Sequence, residues 1–314
     1  MSRHHIVEST PETIHWGFFD AGLKPVLTAR SGDSVRFNCV SGGRDVMPPA
    51  GSRLAVPPAL AAIHARCTQR LPGHILTGPV AIEGAEPGDV LEIRVRELEP
   101  LVDWGYNVMR PQRGGLPEDF DQFRVLHIPI DRARGVASLP WDMELKLSPF
   151  FGVMGVAPPP HWGAVSTIEP RVNGGNIDLK EMTVGSTLYL PVWAKGALFS
   201  VGDGHGMQGD GEVNLSALEI GLGGTFELIL RKDLSFRHPR AETPTHWITL
   251  GFHEDLDDAA KQALREMIKL LGEIRNMHPA DAYALCSLAV DLRVTQIVDG
   301  NKGIHAMLRK DLLA

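Results

Sequence analysis

Apolar residues recur along this chain at two spacings, and the spacing changes near residue 240. Before that point they alternate with polar residues or gather in short runs broken by Gly, Pro, Asn and Asp. This is the pattern of short strands joined by tight turns. HWGFFD (15–20) is aromatic and β-prone. PVLTARSGDSVRFNCV (25–40) holds two β runs about a Ser-Gly-Asp turn, with Val35, Phe37 and Cys39 on one inward face. That placement makes Cys39 a buried small apolar residue rather than a nucleophile. Residues 74–98 predict two more strands about Pro87-Gly88-Asp89. FRVLHIPI (123–130), a pair within 145–160, TLYLPVW (187–193) and the segment 212–232 continue the series. Prolines break residues 41–73 into a cover segment with a short helix at PPALAAIHARC (57–67), suited to one wall of a pocket. Beyond THWITLGF (245–252) the spacing becomes three and four. Leu256, Ala260, Leu264, Met267 and Leu271 predict a helix over 255–274, capped by Asp255 or an adjacent residue. Residues 281–290 predict a second, more buried helix, followed by a strand at DLRVTQIVDG. The expected fold is mainly β, sandwich or barrel-like, with 1–240 as a β-rich core and 241–314 as a small C-terminal α+β unit.

Composition agrees and removes some functions. The 314 residues, 43% apolar and 22% charged, suit one large globular domain or two to three smaller ones. A net charge of −7 and a pI near 6.0, with no long basic run, argue against a nucleic-acid partner. No stretch of about 18 apolar residues is present, so no membrane-spanning helix is expected. The first residues, MSRHHIVESTPETIHW, lack the apolar centre of a secretory signal. Cys39, Cys67 and Cys286 are scattered and odd in number, with neither a disulfide framework nor zinc-ribbon spacing. A reducing compartment follows, hence the cytoplasm.

The chemistry concentrates in residues 202–212, GDGHGMQGDGE, where five glycines alternate with Asp203, His205, Gln208, Asp210 and Glu212. So many glycines imply tight turns or close backbone approach, and the polar residues between them bind metals or move protons. The plain alternative is a solvated Gly/Asp loop between two strands. Asp203 and His205 alternate across Gly204, so an extended backbone aims both the same way. Asn176 and Asp178 stand in the same relation, unless they form an Asn/Asp turn bonded to its own backbone. Glu219 and Glu227 lie in alternating segments where outward carboxylates are the default. G-x-S-x-G is absent, as is a Ser-rich amidase segment, and neither Cys39 nor Cys67 has a nitrilase-like context. Water activated by a metal or a carboxylate suits what remains.

The stretch GALFSVGDGHGMQGDGEV (196–213) resembles the signature of the acetamidase/formamidase family. HILTGPVAIEGAEPGDVLEI (74–93), GVMGVAPPP (152–160), GGNIDLKEMTVGSTLYLPV (174–192) and DAYALCSLAVDLRVTQIVDGN (281–301) resemble further blocks of it, in order. The resemblance implies hydrolysis of a short aliphatic amide of the formamide or acetamide type to carboxylate and ammonia, by a homo-oligomer. It brings His74 into the site beside Asp203 and His205 as a third ligand of a divalent metal, zinc or else calcium. Glu212 is then the acid/base, with His205 and Asp210 placed beside it as catalytic residues, Asp210 being either ligand or turn former. Gln208, Asn176 and Asp178 orient the substrate amide. Met207 stands where small residues are usual in the family and is expected to narrow or reshape the pocket. Two other functions fit the residues: a non-catalytic β-domain holding a small polar ligand and a structural Ca²⁺, and a hydrolase of another C–N bond.

Overall fold

The computed structural model describes residues 2–313. Two large sheets pack face to face, so the mainly β expectation holds, in its sandwich form. The first sheet has nine strands, in the order His4–Glu8, Asp33–Cys39, Leu222–Arg231, Val90–Pro100, Thr187–Pro191, Arg240–Glu242, His246–His253, Lys302–Arg309 and Val290–Gln296. The second has eleven. At its centre the strand Phe199–His205 is hydrogen-bonded along both edges, to Phe150–Gly155 on one side and to Ile75–Ile82 and Glu219–Ile220 on the other. The strands forecast at 33–39, 75–98 and 187–191 are all present.

Apolar side chains from both sheets meet in one core. Phe37 and Phe226 from the first sheet and Phe151 and Phe199 from the second are fully buried, with ring centroids 5.7–6.0 Å apart and mostly tilted or edge-on. Each such ring stabilises the fold by about 1.5–3 kcal/mol through burial alone. Cys39 lies in this core, and burial pushes its thiol up to about 12, which removes it as a nucleophile.

The C-terminal helices form largely as the spacing predicts. Helix α1 spans Pro58–Arg66, within the cover segment, and helix α2 spans Leu256–Arg275. The cap of α2 is Asp255, whose side chain accepts from the backbone N–H groups of Asp257 and Asp258. Helix α3, Pro279–Ala289, is less buried than expected: only Ala282 and Cys286 are covered, while Tyr283 is 59% and Leu288 85% exposed. Its sequence is apolar on every side, and apolarity alone does not say which sides find a partner. The two helices have a core of their own with Ile304, Ala306 and Leu308, yet the nine-stranded sheet runs without a break across residue 240.

One buried histidine gives the fold a pH dependence. His15 donates from Nδ1 to the Phe18 carbonyl, and its Nε2 accepts from Ser200 Oγ at 2.9 Å, pinning the N-terminal segment to the central strand. Burial lowers its pKa to about 4 from 6.5. Below pH 6.5 the unfolded chain takes up a proton that the folded chain refuses, so this contribution is complete above 6.5 and is lost as pH falls towards 4. The loss is about 3 kcal/mol. Between pH 7 and 4 the unfolding free energy of the unaltered protein is expected to fall by about that amount relative to that of His15→Gln, as denaturant titrations of both proteins measure.

Candidate functional site

The Gly-rich stretch is not a solvated loop. Its first half is the end of the central strand, and every residue of Phe199–His205 is buried. Gly202 and Gly204 serve close packing rather than bending: a Cβ on the first would lie 2.4 Å from the Ile75 carbonyl oxygen, and on the second 2.4 Å from Leu222 Cβ. The extended backbone expected at Asp203 is absent, since its φ is 58°. Asp203 and His205 converge all the same, with Asp203 Oδ2 3.1 Å from His205 Nε2. Asp178 (φ 46°) and Glu212 (φ 46°) are also left-handed. Three acidic residues of one site thus hold a conformation that costs energy in ordinary chain and gathers at functional centres.

Around His205 the carboxylates crowd. Glu219, the residue directly opposite His205 across the strand pair, brings Oε2 to 3.4 Å from Nε2. Glu219 is therefore not an outward carboxylate: it is 5% exposed, because this short strand is covered on both faces. His74 approaches Asp203 Oδ2 from the cleft side, with Nε2 at 3.7 Å, and its Nδ1 lies 3.3 Å from Thr167 Oγ1. Asp178, Glu212 and Asp299 complete a set of five buried carboxylates. Beneath them Gly152 forms a floor, where an added Cβ would lie 2.6 Å from Asp178 Oδ1 and from Asp203 Oδ2. The group opens into a cleft of about 430 Å³. Ser41–Gly43, Pro72–Ile75, Tyr106, Arg110, Arg113 and Asn176 are among its lining residues, and the segment 41–73 supplies one wall as expected.

This crowding displaces the protonation equilibria. Burial pushes Glu219 up to about 7, against the pull of His205. Burial, reinforced by Asp178, holds Glu212 well above the usual carboxylate range, and burial with Asp178 and Glu212 does the same to Asp299. Asp178 is raised by burial as well. Burial also acts on Asp203, but the imidazoles of His74 and His205 outweigh it and keep this carboxylate ionised far below the ordinary range. On His205 burial is outweighed in turn by Glu219 and Asp203, which raise its pKa well above 6.5. Glu219 Oε2, Asp299 Oδ2, Asn176 Oδ1 and both oxygens of Asp178 have no fixed donor, apart from a proton that Asp178 and Asp299 can share. Unpaired buried oxygens are costly and call for a cation or a ligand. His205 Nε2, Asp203 Oδ2 and Glu219 Oε2 lie within 4.8 Å of one another, and an imidazole with two carboxylates is a suitable donor set for a divalent metal.

Three further expectations change. Asp210 stands outside this group. It is exposed and held by Lys180 (2.9 Å) and Arg293 (2.7 Å), whose positive charges draw it to the far side of the loop. A second cluster, Glu181, Asp210 and His305, also lies within 4.8 Å, but these two cations already neutralise it. Gln208 does not face the cleft, because both ends of its amide are taken by the protein. Met207 packs on the core and lines a separate apolar groove, so it does not narrow the cleft. Asn176, Asp178, Asp203, His205 and Glu212 are brought together as expected, with His74 at their edge. Glu219, Asp299 and Gly152 join them with no signal in the local sequence beyond the blocks they sit in.

Fold and site define a β-sandwich protein with a buried imidazole–carboxylate centre at the inner end of a polar cleft. The model of the acetamidase/formamidase family matches residues 63–164 and 161–308, a span that contains every residue of this centre. The chain belongs to the acetamidase/formamidase family. It is similar to the acetamidase of Mycolicibacterium smegmatis, 30% identical over 209 residues, which are 48% of this chain and 52% of that protein. The matched length is thus about half that of the curated relatives. Among solved structures, the acetamidase of Bacillus halodurans is 30% identical, with TM-score 0.85 over 98% of each chain. The acetamidase of Yersinia enterocolitica is 28% identical, with TM-score 0.87 over 99% of this chain and 93% of that one.

Proposed function

We propose that this chain hydrolyses the C–N bond of a linear amide, releasing a carboxylate and ammonia, at the centre around His205. The observation that carries the reading is the direction of His205 Nε2, which faces Asp203 Oδ2 and Glu219 Oε2 at 3.1 and 3.4 Å beside carboxylate oxygens without donors. His205, Asp203 and Glu219 would hold a divalent cation, zinc by donor type, with His74 at the rim. Calcium fits less well, because it takes six to eight oxygens and avoids imidazole. A bound cation supplies carbonyl polarisation and a water acidified to a pKa of about 7. Glu212 lines the cleft, and burial raises its pKa well above the usual carboxylate range, which suits a group that takes up and returns a proton. It accepts the proton of the attacking water and returns it to the departing nitrogen. Asn176 offers an amide and Asp178 a carboxylate to orient the substrate NH2 and carbonyl. The water oxygen forms the new C–O bond, the C–N bond breaks, and both water protons are accounted for between ammonia and the acid formed.

The cleft volume favours an amide larger than formamide, since a water-sized molecule takes about 30 Å³ of liquid. Ammonia release from formamide, acetamide, propionamide and butyramide tests the function and the size together. We expect kcat/KM to rise up the series by about fourfold per buried methylene, corresponding to about 0.8 kcal/mol. No ammonia from any amide removes the reading.

The same proposal extends to location and assembly. No helix among the described residues is long and apolar enough to cross a membrane, and three free cysteines suit a reducing cytoplasm. Exposed Tyr283, Leu288 and Leu292 beside the edge strand Val290–Gln296 suit a homo-oligomer. A monomer mass by light scattering at micromolar concentration would remove the assembly.

A further inference from the structure

Gln208 is held at both ends of its side chain. Its Nε2 donates to the backbone carbonyls of Asp178 (3.1 Å) and Thr295 (3.3 Å), and its Oε1 lies 3.0 Å from His205 Nδ1. Carbonyl oxygens only accept, so the amide has one orientation. Turned over, it would set Oε1 against two carbonyl oxygens and leave its own N–H groups facing the imidazole. Nδ1 of His205 therefore carries a hydrogen and donates it to Gln208. The other oxygen near Nδ1, Asp178 Oδ1, is at 4.0 Å, too far to accept.

We infer that Gln208 is a positioning residue that fixes the tautomer of His205, with hydrogen on Nδ1 and the lone pair of Nε2 aimed at Asp203 and Glu219. A lone pair 3.1 and 3.4 Å from two carboxylate oxygens is repelled unless a proton or a cation sits between them. Gln208 thus prepares Nε2 to take one or the other. The inference deepens the hydrolytic reading above and rests on it for the purpose of this arrangement, but not for the tautomer itself.

The anchor comes from the C-terminal unit. The Thr295 carbonyl that accepts from Gln208 also accepts from the Gly211 N–H at 3.2 Å, and Thr295 Oγ1 lies 2.8 Å from His305 Nδ1. The Gly211 carbonyl in turn accepts from Ile297 N–H at 3.1 Å. The strand Val290–Gln296, whose Thr295 lies 87 residues beyond Gln208, therefore sets both the imidazole, through Gln208, and the chain that carries Glu212. This explains a glutamine at 208. Leucine has no acceptor for Nδ1–H, and glutamate, though it keeps one, would set a second oxygen against the Asp178 and Thr295 carbonyls.

The test has two readouts. In protein labelled with ¹⁵N-histidine, with His205 identified by its loss in His205→Ala, Nδ1 is expected to be protonated in both metal-free and zinc-loaded samples. In chelator-competition titrations with zinc alone, Gln208→Leu is expected to bind about 10–100-fold more weakly than the unaltered protein. An unprotonated Nδ1 in the unaltered protein overturns the inference, as does zinc binding by Gln208→Leu within twofold of the unaltered protein. If Gln208→Leu does not fold, the Nδ1 resonance decides. If zinc does not bind the unaltered protein, the metal reading fails, and the same resonance still judges the tautomer.

Discussion

Glu219→Gln is expected to lower kcat/KM for amide hydrolysis at least about 100-fold while raising the melting temperature of the metal-free protein above pH 7. The activity loss follows from position. Glu219 Oε2 is one of the two carboxylate oxygens that Nε2 of His205 faces, and loss of even an outer partner of a metal ligand costs about 10–100-fold. The stability gain follows from burial. The folded pKa, pushed up to about 7, lies above the ordinary glutamate value of 4.5. The folded metal-free protein therefore holds a proton that the unfolded chain releases, and its stability falls as pH rises from 4.5 through 7. An amide at 219 keeps the shape, keeps an oxygen for the Ala217 N–H and removes that fall. Melting curves at pH 5 and 8 with parallel kinetics check both parts. Activity and stability falling together at pH 8 would mean that Glu219 is only a packing element.

Gly152→Ala carries the second large effect, although it replaces no ionisable group. Its new Cβ would stand 2.6 Å from Asp178 Oδ1 and Asp203 Oδ2 and 2.8 Å from His205 Cε1. All three neighbours are buried, and His205 is held by Gln208 and further enclosed by the Phe150 ring, 5.0 Å away. The carboxylates must therefore shift by several tenths of an ångström or the strand must bow. Overpacking of this kind costs about 1–3 kcal/mol, and misplacement of catalytic groups by about an ångström costs about 100-fold in rate. We expect both, with kcat/KM lowered about 100-fold and a folded protein that still shows a cooperative transition. Turnover equal to that of the unaltered protein would show that the floor beneath the carboxylates does not constrain them.

The fold was legible where one rule governs many residues. The alternation Val35, Phe37, Cys39 needs only the period of a strand, and the cap and spacing of α2 need only a helical turn. Burial of α3 was not legible, because a helix apolar all round says nothing about which face meets a partner. The site was legible along one strand and lost between strands. Asp203, His205 and Glu212 lie close in sequence and share one feature, the glycines between them. Glu219 faces His205 only because of the register between two strands, and Gly152 reaches the carboxylates only through the neighbouring strand on the other edge. Asp299 arrives from the far end of the chain. Asp210 resembled its neighbours in composition and differs only in having two cations within reach, which no local pattern discloses. Gln208 carries an amide suited to a substrate, but both ends of it are bonded within the protein, to the His205 imidazole and to two backbone carbonyls, which the local sequence does not disclose.

The centre around His205 stands or falls as a cation-dependent amide hydrolase. The most direct measurement is ammonia release from acetamide by one preparation assayed as purified, after chelation and dialysis, and after zinc is returned. The account predicts release by the first sample, a fall to background in the second and recovery in the third, with the fold unchanged by circular dichroism throughout. Turnover by the chelated sample at the rate of the zinc-restored one would contradict it.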